Sequence, residues 1–340
     1  CLTGLSNAAN VSTPQAQAII LQYHHVSEHT PASTSISPAA FKQHLELIQS
    51  MGFNVRPLPQ VIQKIRQGIP FKEKTLAITF DDGYLSIYEN AFPLLQAKQW
   101  PFTIFVSPQA IDKKFGLSLS WGMLKKMKEN GATIANHSFS HDHLLHKKEN
   151  ESAKHWLARI NVDISTAQSR LEHELNITEK LLAYPYGEFD HHLKESVKAL
   201  GYVAFSQQSG PIATSSDFQS LARFPASGSY ANLETLKVKL NSLAFHIIQE
   251  RPISRLLHQY EPSPRLRLTI KAKDVQYKRL RCFHNGKELT LKINKHQDEL
   301  TIVTQADHSL SKGRSRYNCT APAKSSNAYY WYSMPFVVRR

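Results

Sequence analysis

Three short stretches hold residues whose types and spacing could do chemistry. In Thr79-Phe80-Asp81-Asp82-Gly83-Tyr84 two adjacent carboxylates follow an apolar run, and the glycine after them lets the backbone turn sharply away. At the carboxyl end of a parallel strand such a pair projects at a barrel mouth, where a carboxylate can take a proton or hold a cation. In Asn136-His137-Ser138-Phe139-Ser140-His141 the histidines are four apart. On a helical turn both imidazoles then share one side, and with a carboxylate from elsewhere they can hold a metal ion and leave positions open for water. In Ala183-Tyr184-Pro185-Tyr186-Gly187 a strand ends at a proline and a glycine, which could aim the Tyr186 amide at a ligand as an oxyanion donor. Taken singly each stretch has a plainer reading. These are a turn or helix cap for the aspartates, a helix surface for two of 17 histidines, and a β-turn for the third.

The elements that must position these residues alternate in kind. Short apolar runs at 18–23, 75–80, 102–106, 133–136, 181–184, 202–206 and 220–224 read as strands. Several are nearly unbroken in apolarity, as strands covered on both faces should be. Between them the spacing predicts a helix that opens at Ser37-Pro38 and stops just before Gly52, and helices over 84–98, 120–130, 151–175, 190–200 and 231–249. This is the βα alternation of a parallel sheet or barrel. The pattern changes near Arg251-Pro252, and Glu261-Pro262-Ser263-Pro264 reads as extended chain. Strands expected at 265–270, 289–293, 300–303 and 329–338, with Asn285-Gly286 as a hairpin turn, then suggest a small β-sandwich. The expected organisation is a tether over 1–17, a catalytic domain over 18–250, a linker over 251–264 and a sandwich over 265–340.

Together and in this order, the three stretches resemble the motifs of polysaccharide deacetylases with a NodB-homology domain, carbohydrate esterase family 4. The family's first motif is Thr-Phe-Asp-Asp-Gly and its second is His-Ser/Thr-x-x-His/Asp, matched here by Thr79 to Gly83 and by His137, Ser138 and His141. The resemblance covers roughly residues 18–245. It implies an α/β fold, a distorted (β/α) barrel, holding one divalent metal ion, zinc foremost with nickel or cobalt as alternatives. It assigns Asp82, His137 and His141 to the metal, Asp81 to the general base, and the Tyr186 amide to the oxyanion. Two departures stand out. The arginine that usually precedes the third motif's aromatic residue is missing, since Ala183 and Tyr184 stand before Pro185. Arg223, in Leu221-Ala222-Arg223-Phe224-Pro225, is the candidate replacement, a rim ion pair being its other reading. The late leucine-x-histidine motif is also not evident. Instead Tyr23-His24-His25-Val26 resembles the opening of the circularly permuted deacetylases that act on poly-β-1,6-N-acetylglucosamine, as do Ser35 to Phe41 and Gly52-Phe53. That likeness makes His24 the general acid, with His25 pointing the other way and His246, in a helical pattern, as the rival. His143, His146, His191 and His192 match no motif and read as surface residues.

Charge and cysteines bound the remaining possibilities. Of the net charge of +14, residues 251–340 contribute 18 Lys and Arg against 6 Asp and Glu, so the basic character belongs to the last quarter. That quarter reads as a site for anionic glycan or lipid, or as a solvated face; nucleic acid is not expected without a recognition motif. No apolar run approaches the ~20 residues that cross a bilayer. Cys1 resembles the lipid-modified first residue of a mature bacterial lipoprotein, which implies the cell envelope, the periplasm, and an outer-membrane anchor. Cys282 and Cys319 then remain as an even pair, consistent with one disulfide; free thiols are the alternative. The leading expectation is a metal-dependent N-deacetylase acting on an acetylated, exported polysaccharide. An O-acetyl esterase of an acidic glycan and an inactive glycan- or membrane-binding protein are its rivals, and oligomeric state is left open.

Overall fold

The computed structural model describes residues 16–258 and 260–339, so Cys1 and most of the expected tether lie outside the described residues. Six strands run side by side in chain order and in parallel: β1 (Gln17–Tyr23), β2 (Thr75–Phe80), β3 (Phe102–Val106), β4 (Ala132–Asn136), β5 (Leu181–Ala183) and β6 (Val203–Phe205). Every residue of β2, β3, β5 and β6 is buried, as the unbroken apolar runs require when both faces are covered. The sheet curls back on itself. Phe205 of β6 bridges Leu221, and the following strand β7 (Phe224–Pro225) pairs with Leu21 and Gln22 of β1. The result is the distorted (β/α) barrel that the motifs implied, with the carboxyl ends of its strands gathered at one mouth. The expected strand at 220–224 is reduced to that single bridge and a two-residue ladder, which brings Arg223 inward between them.

Helices α1 (Pro38–Ser50), α2 (Leu58–Arg66), α3 (Phe92–Ala97), α4 (Trp121–Glu129), α5 (Ala153–Leu175), α6 (His191–Ala199) and α7 (Leu233–Leu240) fill the connections. Helix α1 begins where Ser37 accepts the Ala40 amide and Pro38 opens the first turn, and it buries Phe41, His44, Leu45 and Ile48. In α5 Ser152 caps the start, Asn176 ends the helix in the left-handed region, and Trp156, Ile160, Ile164 and Leu171 form the buried stripe. The single helix expected over 84–98 is instead a wide turn, Ile87–Ala91, running into α3. Pro93 has no N–H to return to Glu89, so the regular ladder cannot run through. The helix expected over 231–249 stops at Leu240, because Leu243, Ile247 and Ile248 enter strands.

Those strands open a second unit. Strands β8 (Ser242–Ala244), β10 (Leu256–His258), β12 (Arg281–His284), β13 (Lys287–Leu289), β16 (Gly313–Pro322) and β17 (Tyr329–Arg339) form one sheet; β9 (Ile247–Arg251), β11 (Leu266–Lys271), β14 (Leu291–His296) and β15 (Glu299–Thr304) form the other. Leu266, Leu268 and Ile270 alternate inward from β11 and share a core with Tyr317, Met334 and Phe336, so the two sheets pack as the expected β-sandwich. Its sheets begin at Ser242, and β10 pairs with β17 inside the stretch expected as a bare linker. The apolar Leu256-Leu257 gives that stretch something to bury, which the prolines around it concealed. Cys282 and Cys319 face each other across β12 and β16 and are joined by a disulfide. The sandwich rests against the barrel, with Trp331 edge-on to Phe224 and Gln17 accepting the Ala244 amide. No helix among the described residues is long and apolar enough to cross a membrane.

Candidate active site

Asp81 leaves the carboxyl end of β2 at the floor of the mouth, its amide donating to the carbonyl of Tyr23 at 3.0 Å. Its carboxylate is fully buried and gripped by the fork of Arg223, with Nη1 donating to Oδ1 at 2.7 Å and Nη2 to Oδ2 at 2.8 Å. Gln22 Nε2 adds a third donor at 2.6 Å. Arg223 is itself fully buried, fixed by Nε on the Ser206 carbonyl (3.0 Å) and Nη1 on Thr79 Oγ1 (3.2 Å). Two charges removed from water cost several kcal/mol each unless geometry and hydrogen bonds compensate, and here the bidentate fork supplies both. Burial pushes the Asp81 carboxyl up, but the Arg223 charge, followed by His137, outweighs it and holds the group below its ordinary value. Of the two readings the sequence left for Arg223, a rim ion pair does not fit this location.

Asp82 sits one residue on and points elsewhere, because its backbone is left-handed (φ 70°). Gly83 must be a glycine: it too has φ 70°, and a Cβ there would meet Val106 Cγ1 at 2.9 Å. Asp82 Oδ1 lies 3.1 Å from His137 Nε2 and 2.9 Å from His141 Nε2. The histidines are not on a helical turn as expected. Ser138 and His141 have positive φ, so the chain makes a tight loop. Asn136 Oδ1 accepts the Ser138 amide, Ser138 Oγ accepts the His141 amide, and Asp163 of α5 accepts the amides of Phe139 and Ser140. His137 Nδ1 lies 2.8 Å from the carbonyl of Ala183, which fixes that nitrogen as the donor and leaves Nε2 a bare acceptor. A carboxylate oxygen and two imidazole nitrogens therefore converge, and the lone pair of His137 Nε2 faces that of Asp82 Oδ1. That arrangement suits a proton or a shared cation, and Asp82, His137 and His141 form a group able to hold a metal ion. Burial pushes Asp82 up, yet the His137 and His141 hydrogen bonds hold it well below the ordinary carboxylate range.

Tyr186 completes the mouth in a left-handed conformation (φ 59°), and Gly187 after it has no room for a Cβ, which would meet the Gln207 amide nitrogen at 2.8 Å. Its ring stands edge-on to His141 at 4.8 Å and stacks on His143 at 3.8 Å, while His143 Nδ1 pairs with Glu188 at 2.9 Å. His143, expected as a plain surface residue, thus supports the third motif. A cleft of about 750 Å³ opens above these groups, lined by His24, Asp82, His141 and Tyr186. Burial pushes His24 below its ordinary value against the pull of the two aspartates. His25 turns away and stacks on Tyr84 at 3.5 Å. His246 is exposed between β8 and β9 of the sandwich, not on a helix, and does not line the cleft.

The sequence reading missed Gln22, Asn136 and Asp163. Gln22 was visible as the polar break in an apolar strand, and Asp163 as a carboxylate beside the buried Ile160 and Ile164. Neither signal names a partner.

Residues 68–205 match the family model described as polysaccharide deacetylase. The chain carries a polysaccharide deacetylase domain. The matched stretch of that domain contains Asp81, Asp82, His137, His141 and Tyr186, whereas His24 and Arg223 fall on either side of it. The chain is 23% identical over 280 residues to the poly-β-1,6-N-acetyl-D-glucosamine N-deacetylase of Escherichia coli K12, covering 72% of this chain and 41% of the relative. It spans about two fifths of that relative's length. It is 27% identical over 171 residues to the enzyme of the same name from Staphylococcus aureus, covering 49% and 59% respectively. Among solved structures, the Streptococcus pyogenes deacetylase PplD in complex with acetate superposes with a TM-score of 0.58 at 22% identity, over 66% of this chain and 99% of that one. IcaB from Ammonifex degensii gives 0.57 at 22%, over 67% and 98%. The deacetylase domain shares their fold, and about a third of this chain extends beyond it.

Proposed function

We propose that this chain is a metal-dependent hydrolase that removes acetyl groups from N-acetylglucosamine units of an exported or cell-envelope polysaccharide of the poly-β-1,6-N-acetylglucosamine kind. The observation that carries the reading is the split between two adjacent aspartates, one locked to an arginine and one facing two imidazoles. Asp82, His137 and His141 would hold one divalent ion, zinc foremost and nickel or cobalt as alternatives. When bound, such an ion polarises the acetyl carbonyl and makes a water acidic enough to react at neutral pH. Asp81, kept anionic and aimed by Arg223 and Gln22, takes the proton of the water as its oxygen bonds to the acetyl carbon. The Tyr186 amide donates to the oxyanion as it develops. His24, at the end of the neighbouring strand β1, would pass a proton to the departing amine as the carbon–nitrogen bond breaks, the proton taken from the water making good the one delivered, and acetate and a glucosamine residue remain. The disulfide fits an oxidising envelope compartment, which is where such a polymer is met.

Mass-spectrometric product analysis on acetylated oligosaccharides, with and without a chelator, tests this. Acetate and free amine should appear together and stop with chelation. Acetate without amine would favour an O-acetyl esterase, and no acetate from any substrate would overturn the reading.

A further inference from the structure

The basic charge of the last quarter has no part in the chemistry above, yet one strand brings it to the reacting groups. Strand β16 crosses the barrel mouth, and Arg314 and Arg316, two residues apart on one face of it, line the same cleft as Asp82 and His141. Their partners are uncharged. Arg314 Nη1 donates to the Tyr186 carbonyl at 2.8 Å and to Gln207 Oε1 at 3.2 Å; Arg316 Nη2 donates to the Tyr230 hydroxyl at 2.6 Å. Behind them Lys239 is buried, donating to the carbonyls of Pro225 and Tyr230, and burial together with the Arg316 charge lowers it to about 8. Among the described residues none of these three cations has a carboxylate within 4.0 Å, whereas Arg159, Arg170, Arg223 and Arg255 all do. Neutral acceptors hold these side chains in place without cancelling their charge.

The geometry points to an anion subsite on this wall: the glycan acted on carries a carboxylate or phosphate substituent close to the N-acetyl sugar at the metal-binding group. The inference rests on the deacetylase reading but departs from its neutral homopolymer: the N-acetylglucosamine units acted on stand in a polymer that also carries acidic groups. Arg314 touches the carbonyl of Tyr186, whose ring meets that of His141, so the charged substituent lies within about one sugar of the reacting acetyl. A glucosamine product, carrying positive charge, is repelled by the same wall, which favours its release.

The test uses the full, metal-loaded chain and three probes: a heparosan hexasaccharide (alternating N-acetylglucosamine and glucuronate), a phosphate-bearing acetylated oligosaccharide, and neutral chitohexaose. One anionic probe should be preferred, and which one identifies the substituent. Arg316→Gln should lower kcat/KM on it about ten- to a hundredfold, mainly through KM, with little change on chitohexaose, and Arg316→Lys should restore most of the loss. The preference should shrink as salt rises. Calorimetric binding of the heparosan and phosphate probes to wild type and Arg316→Gln gives a readout independent of turnover. Turnover of all three probes with no anionic preference, or a preference that Arg316→Gln leaves intact, overturns the subsite while the deacetylase reading stands. No acetate from any probe overturns the deacetylase reading itself, and the subsite then fails as well if the variant binds the anionic probes as tightly as wild type.

Discussion

Asp81 and Asp82 are consecutive, but they belong to two different regions of the barrel mouth, its buried floor and its open rim. On the floor every side-chain partner of the Asp81 carboxylate is a donor: the Arg223 guanidinium fork and the Gln22 amide. On the rim Asp82 meets two imidazole nitrogens, one of them certain to be an acceptor unless protonated. Both carboxyls are held below the ordinary range, by different partners. Asp81 is paired with a permanent cation, Arg223, while Asp82 depends on hydrogen bonds from His137 and His141. The residue type is the same, so the difference lies in what faces it: three N–H donors at Asp81, which leave a lone pair on Oδ1, and two imidazole nitrogens at Asp82.

The comparison breaks most completely at the rim. Asp82→Ala should abolish both metal binding and turnover while leaving the fold intact, as judged by metal content after dialysis and by acetate release. Metal retained at wild-type level would move the site elsewhere. On the floor, Arg223→Gln strands a buried carboxylate and should cost about 3–5 kcal/mol of stability in a denaturant titration, with turnover lost and metal still bound. Arg223→Lys should not rescue it, since a single ammonium cannot replace the fork. A cost under about 1 kcal/mol would mean that the pair is not buried as described.

A smaller effect is expected at the end of the neighbouring strand β1. His24→Ala should keep the metal and slow amide hydrolysis about a hundredfold, yet barely affect an activated aryl acetate whose leaving group needs no proton. Equal loss on both substrates would make His24 a binding residue. The mildest test is pH. Burial pushes His137 down, but the Asp82 hydrogen bond and both aspartate charges outweigh it and raise the ring above 6.5. A proton on His137 competes with metal, so affinity should begin to fall above pH 6.5 as pH drops, steepening to about tenfold per pH unit below the raised value. Affinity that stays flat down to pH 6 would contradict this.

How much of this was legible in the sequence follows the range of each interaction. The aspartate pair, the two histidines and the Tyr186 turn are local, and Gly83 and Gly187 are fixed by contacts that a motif records without explaining. The loop form of 137–141 was not legible, because Asp163, which holds it, comes from the middle of a helix that reads only as an amphipathic stripe. Arg223 could be nominated from a strand end, but its grip on Asp81 spans 142 residues and depends on the sheet curling until β7 meets β1. The start of the sandwich was hidden because Leu243 to Ile248 continue the apolar spacing of α7, and only pairing with β17 and β11 makes them strands. Nothing in the basic composition of the last quarter said that two of its arginines stand over the barrel mouth.

The most direct test of the division between floor and rim is Asp81→Asn, assayed for metal content and acetate release on one preparation. The substitution keeps shape and position while removing the charge that accepts the proton. The expected result is metal bound at the wild-type ratio with turnover reduced by about 10²–10⁴-fold. Turnover near wild type, or metal lost together with turnover, would contradict the assignment of base to Asp81 and ligand to Asp82.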